Sequence, residues 1–156
     1  MSDPPDDHPG VLVFPPVLFA IGVACGVIAH LVCPYRLAFG PWIRGLGGAL
    51  GLVAVVFAIW GERTMKAAGT NVLPNLPAIV IVSNGPFVFT RNPLYLAVLS
   101  LFAGTGIALA SPAFLAVLVP MSIVLHVGVV RREERYLEAK FGDVYRAYKA
   151  RVRRWI

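Results

Sequence analysis

Long apolar stretches, separated by short polar ones, run along most of this 156-residue chain. Four of them are long enough to cross a lipid bilayer, given some tilt or local thinning. These predicted spans are Pro15–Cys33, Ile43–Trp60, Leu94–Ala110 and Pro112–Val130. Apolar runs of this length indicate membrane helices rather than the core of a soluble domain. The pattern therefore predicts an all-α integral membrane protein with four transmembrane helices.

The third and fourth predicted spans are joined so closely that they should form a tight hairpin over residues 94–130. Ser111 can cap the start of the fourth helix, and Pro112 loses no needed hydrogen bond at the first helical position. Asn92 and Pro93 repeat this device at the start of the third helix. Because both ends of a hairpin lie on one membrane face, the polar residues that flank it can share a pocket.

The first two predicted spans, residues 15–60, offer little chemistry because no ionisable side chain lies well inside them. Each has a pair of glycines four residues apart, namely Gly22 and Gly26, and Gly47 and Gly51. This spacing lets membrane helices approach closely, so we expect the two helices to pack together as a support. Residues 1–14, rich in Pro and Asp, are predicted to be a flexible tail. Its acidic residues Asp3, Asp6 and Asp7 are atypical of a signal peptide.

Two cysteines and a histidine in the first predicted helix have simple structural explanations. Cys25 and Cys33 have no third cysteine to complete a metal site and are predicted to be small buried residues. His30, near the end of the same helix, is also predicted to be structural. The sequence therefore predicts no metal site.

Residues 61–156 are predicted to form the catalytic region, which begins with a long polar loop over residues 61–93. The loop contains a β-branched, strand-like run, Ile79–Val82, followed by a turn at residues 83–86. A loop of this length in so small a protein is either functional or disordered. Its apolar run favours an ordered loop.

The sequence after Val130 predicts a helix that leaves the membrane and continues to Phe141, where Gly142 ends it. Asp143 can then cap a short, post-membrane amphipathic helix. The apolar face of that helix carries Tyr145, Tyr148, Val152 and Trp155. Because its other face is basic, the helix is predicted to lie on the membrane surface with its aromatic side chains as interfacial anchors.

Charge gives the predicted helices an orientation. The chain has 14 Lys and Arg residues, and all but Arg36 and Arg44 lie in the middle loop or beyond the fourth span. By the positive-inside rule, the N-terminus, middle loop and C-terminus are predicted to be cytoplasmic, in a bacterial inner membrane. The basic segment directly follows a membrane helix, so nucleic-acid binding is a poor explanation of the net charge of +6.

Polar and aromatic residues at the mouth of the hairpin suggest a small-molecule site. The helix start at Asn92 presents free backbone amides, which favour a small anion. Glu133 and Glu134 can attract a cation or accept hydroxyl hydrogen bonds, and Phe87 and Tyr95 offer aromatic faces. S-adenosylmethionine combines a carboxylate, a cation, a ribose and a flat base, although other nucleotides match most of this pattern.

Simpler explanations remain open for several of these residues. Glu133 and Glu134, among four arginines, also fit an exposed helix with ordinary pairing between residues four apart. Arg91 fits a snorkelling interfacial side chain, and His126 in the fourth helix fits either a functional or a packing role. His126 and Glu134 are the candidates for a base, but no catalytic residue is assigned.

Several motifs occur in an order that resembles the isoprenylcysteine carboxyl methyltransferase family. They are Val82-Ser83-x-Gly85-Pro86-Phe87, Arg91-Asn92-Pro93-x-Tyr95, Glu133-Glu134-x-x-Leu137 and Phe141-Gly142-x-x-Tyr145-x-x-Tyr148. The resemblance covers roughly residues 62–156 and includes the hairpin between the motifs. That family is membrane-embedded, and its relatives include enzymes that methylate phospholipids.

The resemblance implies an S-adenosylmethionine pocket on the cytoplasmic side, built from the loop, the hairpin mouth and the post-membrane helix. The implied cofactor-binding residues are Ile79, Val80, Ile81, Val82, Phe87, Asn92, Pro93, Leu94, Tyr95 and Glu133. The implied acceptor is a lipophilic or prenyl-type molecule that enters from the bilayer. Arg91, Arg131 and Arg132 are the basic residues predicted to contact it.

Two positions depart from the family pattern. Asn92 stands where the family usually has His, and Val129 stands where eukaryotic members have an Arg that holds the substrate carboxylate. The sequence therefore predicts methyl transfer but not the identity of the acceptor. The alternatives are an NADPH-dependent membrane reductase of the sterol-reductase type and a small transport or assembly protein. A proton-coupled transporter is disfavoured because no Asp or Glu lies inside a predicted span.

Overall fold

The computed structural model describes residues 8–32 and 34–156, and this part of the chain is helical with no β-strand. Predictions for residues 1–7, including the acidic side chains, and for Cys33 lie outside the described residues. The α-helices are α1 (Pro15–Val32), α2 (Pro41–Ala67), α3 (Pro93–Ala108), α4 (Pro112–Leu125), α5 (Arg131–Phe141) and α6 (Asp143–Arg151). The all-α prediction is confirmed, and the run Ile79–Val82 is irregular rather than a strand.

Three helical segments are long and apolar enough to cross a membrane: α1, α2 and the continuous stretch Pro112–Phe141. The helix predicted to leave the membrane and end before Gly142 is therefore confirmed as a continuation of α4. Helix α3 is apolar but has only 16 residues, or about 24 Å of helix, against about 30 Å of bilayer hydrocarbon. A membrane crossing by α3 stays a prediction.

The predicted pairing of α1 with α2 is wrong. Helix α1 packs against α4 and α2 packs against α3, while α3 and α4 form the expected hairpin. The glycines do serve close approach, but to other partners. On α1, Gly22 and Gly26 face Met121 and Phe114 of α4, whose bulky side chains fill the space that the glycines leave. Cys25 is exposed on α1 rather than buried.

Helices α2 and α3 approach backbone to backbone through their glycines. A methyl group on Gly47 would lie 2.5 Å from the amide nitrogen of Ala108 and 2.8 Å from the carbonyl oxygen of Gly104. A methyl group on Gly104 would lie 2.7 Å from the carbonyl oxygen of Gly47. Since backbone atoms cannot move aside cheaply, a larger residue at either position would force the two helices apart. The sequence motif on α2 therefore needed a small residue on α3 as its partner.

The helix starts differ in how they are capped. Ser111 caps α4 as predicted, accepting from the amide of Phe114 at 3.4 Å, and its hydroxyl also lies 2.9 Å from Nδ1 of His30. Asn92 occupies the cap position of α3 but makes no side-chain cap, because its amide donates elsewhere. Asp143 does not cap α6 either, because it is the first helical residue and pairs with Arg146.

Between α4 and α5, the segment His126–Val130 forms a π-helical turn. The amide of Arg131 donates to the carbonyl of His126, five residues earlier. Gly128 in this turn also accepts a hydrogen bond from the amide of Leu12, at 3.0 Å. The described part of the predicted tail, residues 8–14, is thus in contact with the turn.

The apolar face of the amphipathic helix α6 packs on protein. Tyr145 and Tyr148 are buried against Val82 and Phe87 of the loop, so the prediction that they anchor the helix at the bilayer is wrong. The ordered loop offers these rings an apolar surface adjacent to the helix. Trp155 also packs on protein, beside the core cluster of the π-helical turn.

Candidate functional site

A cavity of about 420 Å³ lies between the loop, the hairpin mouth, α5 and α6. Its size falls within the range of sites for small molecules and cofactors. The predicted residues that line it are Val80, Ile81, Val82, Phe87, Arg91, Asn92, Pro93, Leu94, Tyr95, Glu133 and Glu134. The two polar motifs that flank the hairpin therefore meet in one cavity.

Four other predicted residues do not line the cavity. Ile79 is 61% exposed, and Arg131 is also exposed. Arg132 donates to the carbonyl of Gly10 at 3.0 Å. The ring of His126 lies 6.1 Å from that of Trp155. The irregular path of the loop turns Ile79 outward, and the π-helical turn separates His126 from the face that carries the carboxylates.

Glu134 is the centre of a charged cluster with two arginines. Its oxygens accept from Nε and Nη2 of Arg154 at 3.0 and 2.7 Å, a two-point contact of the strongest type. Nη2 of Arg91 lies 3.1 Å from the first of these oxygens. Glu134 is only 6% exposed, which excludes the exposed-helix explanation for it. Both oxygens are engaged, so a role as base would require breaking an ion pair.

Arg91 has hydrogen-bonding capacity that the described residues leave unused. Its side chain is only 7% exposed, so it is not a snorkelling residue. Its Nε and Nη1 atoms are buried and have no hydrogen-bond partner within the described ranges. Buried donors are satisfied in the great majority of cases, and an unpaired pair on a cavity wall favours an anionic ligand.

Glu133 differs from its neighbour Glu134. It interacts electrostatically with the side chain of Tyr95, and no ion pair involves it among the residues that the structure describes. It also lines the cavity. The cavity wall therefore combines an arginine with unused donors and a carboxylate without a cation.

The two tyrosines of α6 are neutral hydroxyl groups in the cavity wall. Burial raises the pKa of Tyr148 to about 12, and burial raises the pKa of Tyr145 further above its usual range. The Tyr148 hydroxyl donates to the carbonyl of Phe87 at 2.8 Å, which ties α6 to the loop. Sequence reasoning missed this role, although the three-residue spacing on an apolar helix face is a usable signal.

The loop segment between residues 70 and 78 also lines the cavity and was not predicted to do so. Three hydrogen bonds hold it in place. Asn71 donates to the carbonyl of Pro77 at 2.8 Å, and the amide of Ile79 donates to the Thr70 hydroxyl at 3.0 Å. The amide of Ala78 donates to the Tyr136 hydroxyl of α5 at 3.1 Å. No local sequence pattern predicts these hydrogen bonds, because each joins residues that are separated along the chain.

The sequence of this chain is similar to that of a known protein family. Residues 42–144 match the sequence model of the phospholipid methyltransferase family. An uncharacterized protein of Haemophilus influenzae is 50% identical over 46 residues, which are 30% of this chain and 71% of that protein. The cobalt-zinc-cadmium resistance protein CzcN of Cupriavidus metallidurans is 29% identical over 121 residues. That match covers 75% of this chain and 52% of CzcN. This chain therefore spans about half the length of CzcN.

The family match extends from α2 through the hairpin to the start of α6, so it includes most elements of the cavity. The long apolar helices agree with it, since they make this an integral membrane protein. The match also agrees with the resemblance in the motifs, because the matched family is part of the isoprenylcysteine-carboxyl-methyltransferase-like group of membrane enzymes. This chain belongs to the phospholipid methyltransferase family of membrane methyltransferases.

Proposed function

We propose that this protein transfers a methyl group from S-adenosylmethionine to a lipophilic acceptor within the membrane. The family typically uses S-adenosylmethionine. The observation that carries the proposal is the pairing, in one cavity, of unused Arg91 donors with a Glu133 carboxylate that has no cation among the described residues. An amino acid has the complementary pair of charges, a carboxylate and an ammonium group, as does the methionine end of the cofactor.

The cavity residues fit this cofactor along its length. The free nitrogens of Arg91 suit a carboxylate, because hydrogen bonds between a guanidinium and an anion are charge-assisted and strong. Glu133, which lines the cavity, suits the ammonium group. Apolar and aromatic side chains from the loop and helix start suit the adenine, namely Val80, Ile81, Val82, Phe87, Pro93 and Leu94. Ile79 drops out of the proposed set because it is exposed.

When bound, S-adenosylmethionine supplies an electrophilic methyl group on a sulfonium. The residues of this chain then have two tasks, to fix the orientation of the reacting groups and to exclude water. Arg91 and Glu133 serve the first task, and the largely apolar cavity wall serves the second. A carboxylate acceptor needs no base, whereas an amine or hydroxyl acceptor does. His126 lies outside the cavity and Glu134 is held by arginines, so neither is proposed as that base.

The acceptor is proposed to enter from the bilayer side. There the cavity wall is apolar and comes from the membrane helices, namely Leu18, Phe19, Leu99, Met121 and Leu125. The charged cluster lies at the opposite end, so the cavity has an apolar end and a polar end. The uneven distribution of basic residues supports a cytoplasmic location for the polar end, in a bacterial inner membrane.

Calorimetry on the purified protein in detergent tests the proposal. We expect binding of S-adenosylmethionine and of its demethylated product S-adenosylhomocysteine, and no binding of NADPH. We expect Glu133→Ala to abolish that binding without unfolding the protein. The matched control is Glu138→Ala, on the same helix but in a partly exposed pair with Lys149. Binding of NADPH alone would instead favour the reductase, and unchanged affinity in Glu133→Ala would remove that residue from the site.

A further inference from the structure

The segment 152–156, after α6, folds back along the motif that starts α3. Two consecutive carbonyl groups of this segment accept three hydrogen bonds from residues 90–92. The amide of Arg91 donates to the carbonyl of Arg153 at 3.0 Å. The Thr90 hydroxyl and the Asn92 amide both donate to the carbonyl of Arg154, at 3.0 and 2.9 Å. The buried motif is therefore fixed by backbone atoms from the other end of the catalytic region.

The side chain of Arg154 acts on the same motif by a second route. Its guanidinium binds both oxygens of Glu134, whereas Arg91 approaches the same carboxylate with Nη2, which lies 3.1 Å from one oxygen. The Arg154 side chain is 34% exposed and the Arg91 side chain 7%, so the outer arginine covers the carboxylate and the inner one faces the cavity.

The carboxylate of Glu134 is shared by two arginines, and this limits how Arg91 can bind it. An arginine beside a free carboxylate tends to bind it with two parallel hydrogen bonds. Because Arg154 already makes that two-point contact, Glu134 is not free to bind Arg91 in the same way, and the Nε and Nη1 atoms of Arg91 remain unpartnered within the described chain. Without Arg154, Arg91 is free to turn towards Glu134 and to use the donors that otherwise have no partner among the described residues.

We propose that Arg154 is a positioning residue, which occupies Glu134 so that Arg91 keeps two donors available for the carboxylate of the ligand. The inference rests on the proposed function, since it names the ligand group that Arg91 receives. Arg154 itself is not among the residues that line the cavity. It acts through Glu134 and through the carbonyl that holds Thr90 and Asn92.

Two related ligands separate positioning from general stabilisation. S-adenosylhomocysteine carries the amino-acid carboxylate, whereas 5′-methylthioadenosine has the same nucleoside and sulfur but no carboxylate. Calorimetry with Arg154→Ala should show affinity for S-adenosylhomocysteine lowered roughly tenfold to a hundredfold, as for the loss of a charged hydrogen-bonding contact. Its affinity for 5′-methylthioadenosine should equal that of the unmodified protein.

Two further variants complete the test. Arg151→Ala removes the same charge from an exposed position nearby and should change neither affinity. Arg154→Lys keeps the charge but cannot make the two-point contact, so it should also weaken S-adenosylhomocysteine selectively. It carries the same comparison if Arg154→Ala does not fold.

The outcomes distinguish the inference from the proposed function. Equal weakening of both ligands would show a merely structural role for Arg154, and unchanged affinity for both would show none; either result overturns the inference alone. If the unmodified protein binds neither ligand, the proposed function fails, and the inference fails with it. Selective loss of S-adenosylhomocysteine in both Arg154 variants supports the inference.

Discussion

Two regions of this protein bring chain segments together by opposite means. At the α2–α3 contact, Gly47 and Gly104 allow backbone to touch backbone, with no side chain between them. At the cavity, Arg91, Glu134 and Arg154 bring segments together through charged side chains. The first contact depends on shape alone, and the second depends on pairing each charge.

The two regions differ in whether they contain hydrogen-bonding groups without a described partner. The glycine contact packs its backbone atoms directly against each other. The charged cluster leaves two donors of Arg91 without a described partner, in a cavity wall where unpaired donors are costly. We infer that the helix contact specifies the fold and the charged cluster specifies the ligand. Substitutions in the two regions should therefore have separable effects.

The largest expected effect comes from breaking the charged cluster. Glu134→Gln leaves Arg91 and Arg154 without their carboxylate, and removing one partner of a buried pair costs about 3–5 kcal/mol of unfolding free energy. Glu138→Gln on the same helix breaks a partly exposed pair with Lys149, which water already screens, so its loss should be much smaller. Denaturant unfolding in detergent measures both. Equal losses would mean that burial does not distinguish the two pairs.

The glycine contact should respond to added volume. Gly47→Ala places a methyl group against the backbone of α3, and overpacking of this kind costs about 1–3 kcal/mol. Gly48→Ala is a matched control, because it makes the same change in the next residue, where no atom lies within 4 Å. Thermal unfolding should show a loss for the first variant only. If folded Gly47→Ala loses cofactor affinity as well, the two regions are not separable.

The contact between α6 and the loop should show a smaller effect that depends on pH. Tyr148→Phe removes the hydrogen bond to the Phe87 carbonyl, at a cost of roughly 1–2 kcal/mol near neutral pH. Because folding raises the pKa of Tyr148 to about 12, its neutral form stabilises the fold below pH 10. That contribution is lost as pH rises from 10 towards 12. Unfolding measured across this range should be less pH-dependent in Tyr148→Phe, and an identical pH profile would contradict the assignment.

The smallest expected effect concerns the two polar contacts of Ser111 at the start of α4. Ser111→Ala removes the cap of α4 and the contact with His30, and loss of a cap typically costs about 1 kcal/mol. Ser83→Ala, at an exposed loop position, should cost nothing measurable. Ligand affinity should be unchanged in both variants. A fall in affinity for Ser111→Ala would extend the ligand-specifying region into the hairpin.

Local patterns predicted much of the fold because each depends on neighbouring residues. The apolar runs predicted the positions of α3 and α4, and Ser111 with Pro112 predicted the turn between them. Gly142 predicted the end of α5. Helix partners were harder, because the glycines of α2 show that a close contact exists but not which helix makes it. The partner depended on Gly104, whose role appears only when α3 is placed against α2.

The candidate site was predictable where chain order alone brings residues together. The hairpin required the segment before α3 and the segment after α4 to meet, so Arg91 and Glu133 were placed correctly in one cavity. Arg154 was not predicted, because nothing distinguishes it from the arginines around it in sequence. Its role depends on the return of segment 152–156 to residues 90–92, and on which carboxylate is buried there.

The π-helical turn at His126–Val130 affects how this chain can be aligned with others. Such a turn holds one residue more than an α-helical turn, so it rotates the following helix by about 100°. Because of this rotation, the side chains of Glu133 and Glu134 face the cavity. In an uninterrupted helix, the side chains at the same two positions would face another direction. A related chain without the extra residue needs its paired carboxylates one position earlier. An alignment without a gap at this turn would then match each carboxylate to the wrong residue.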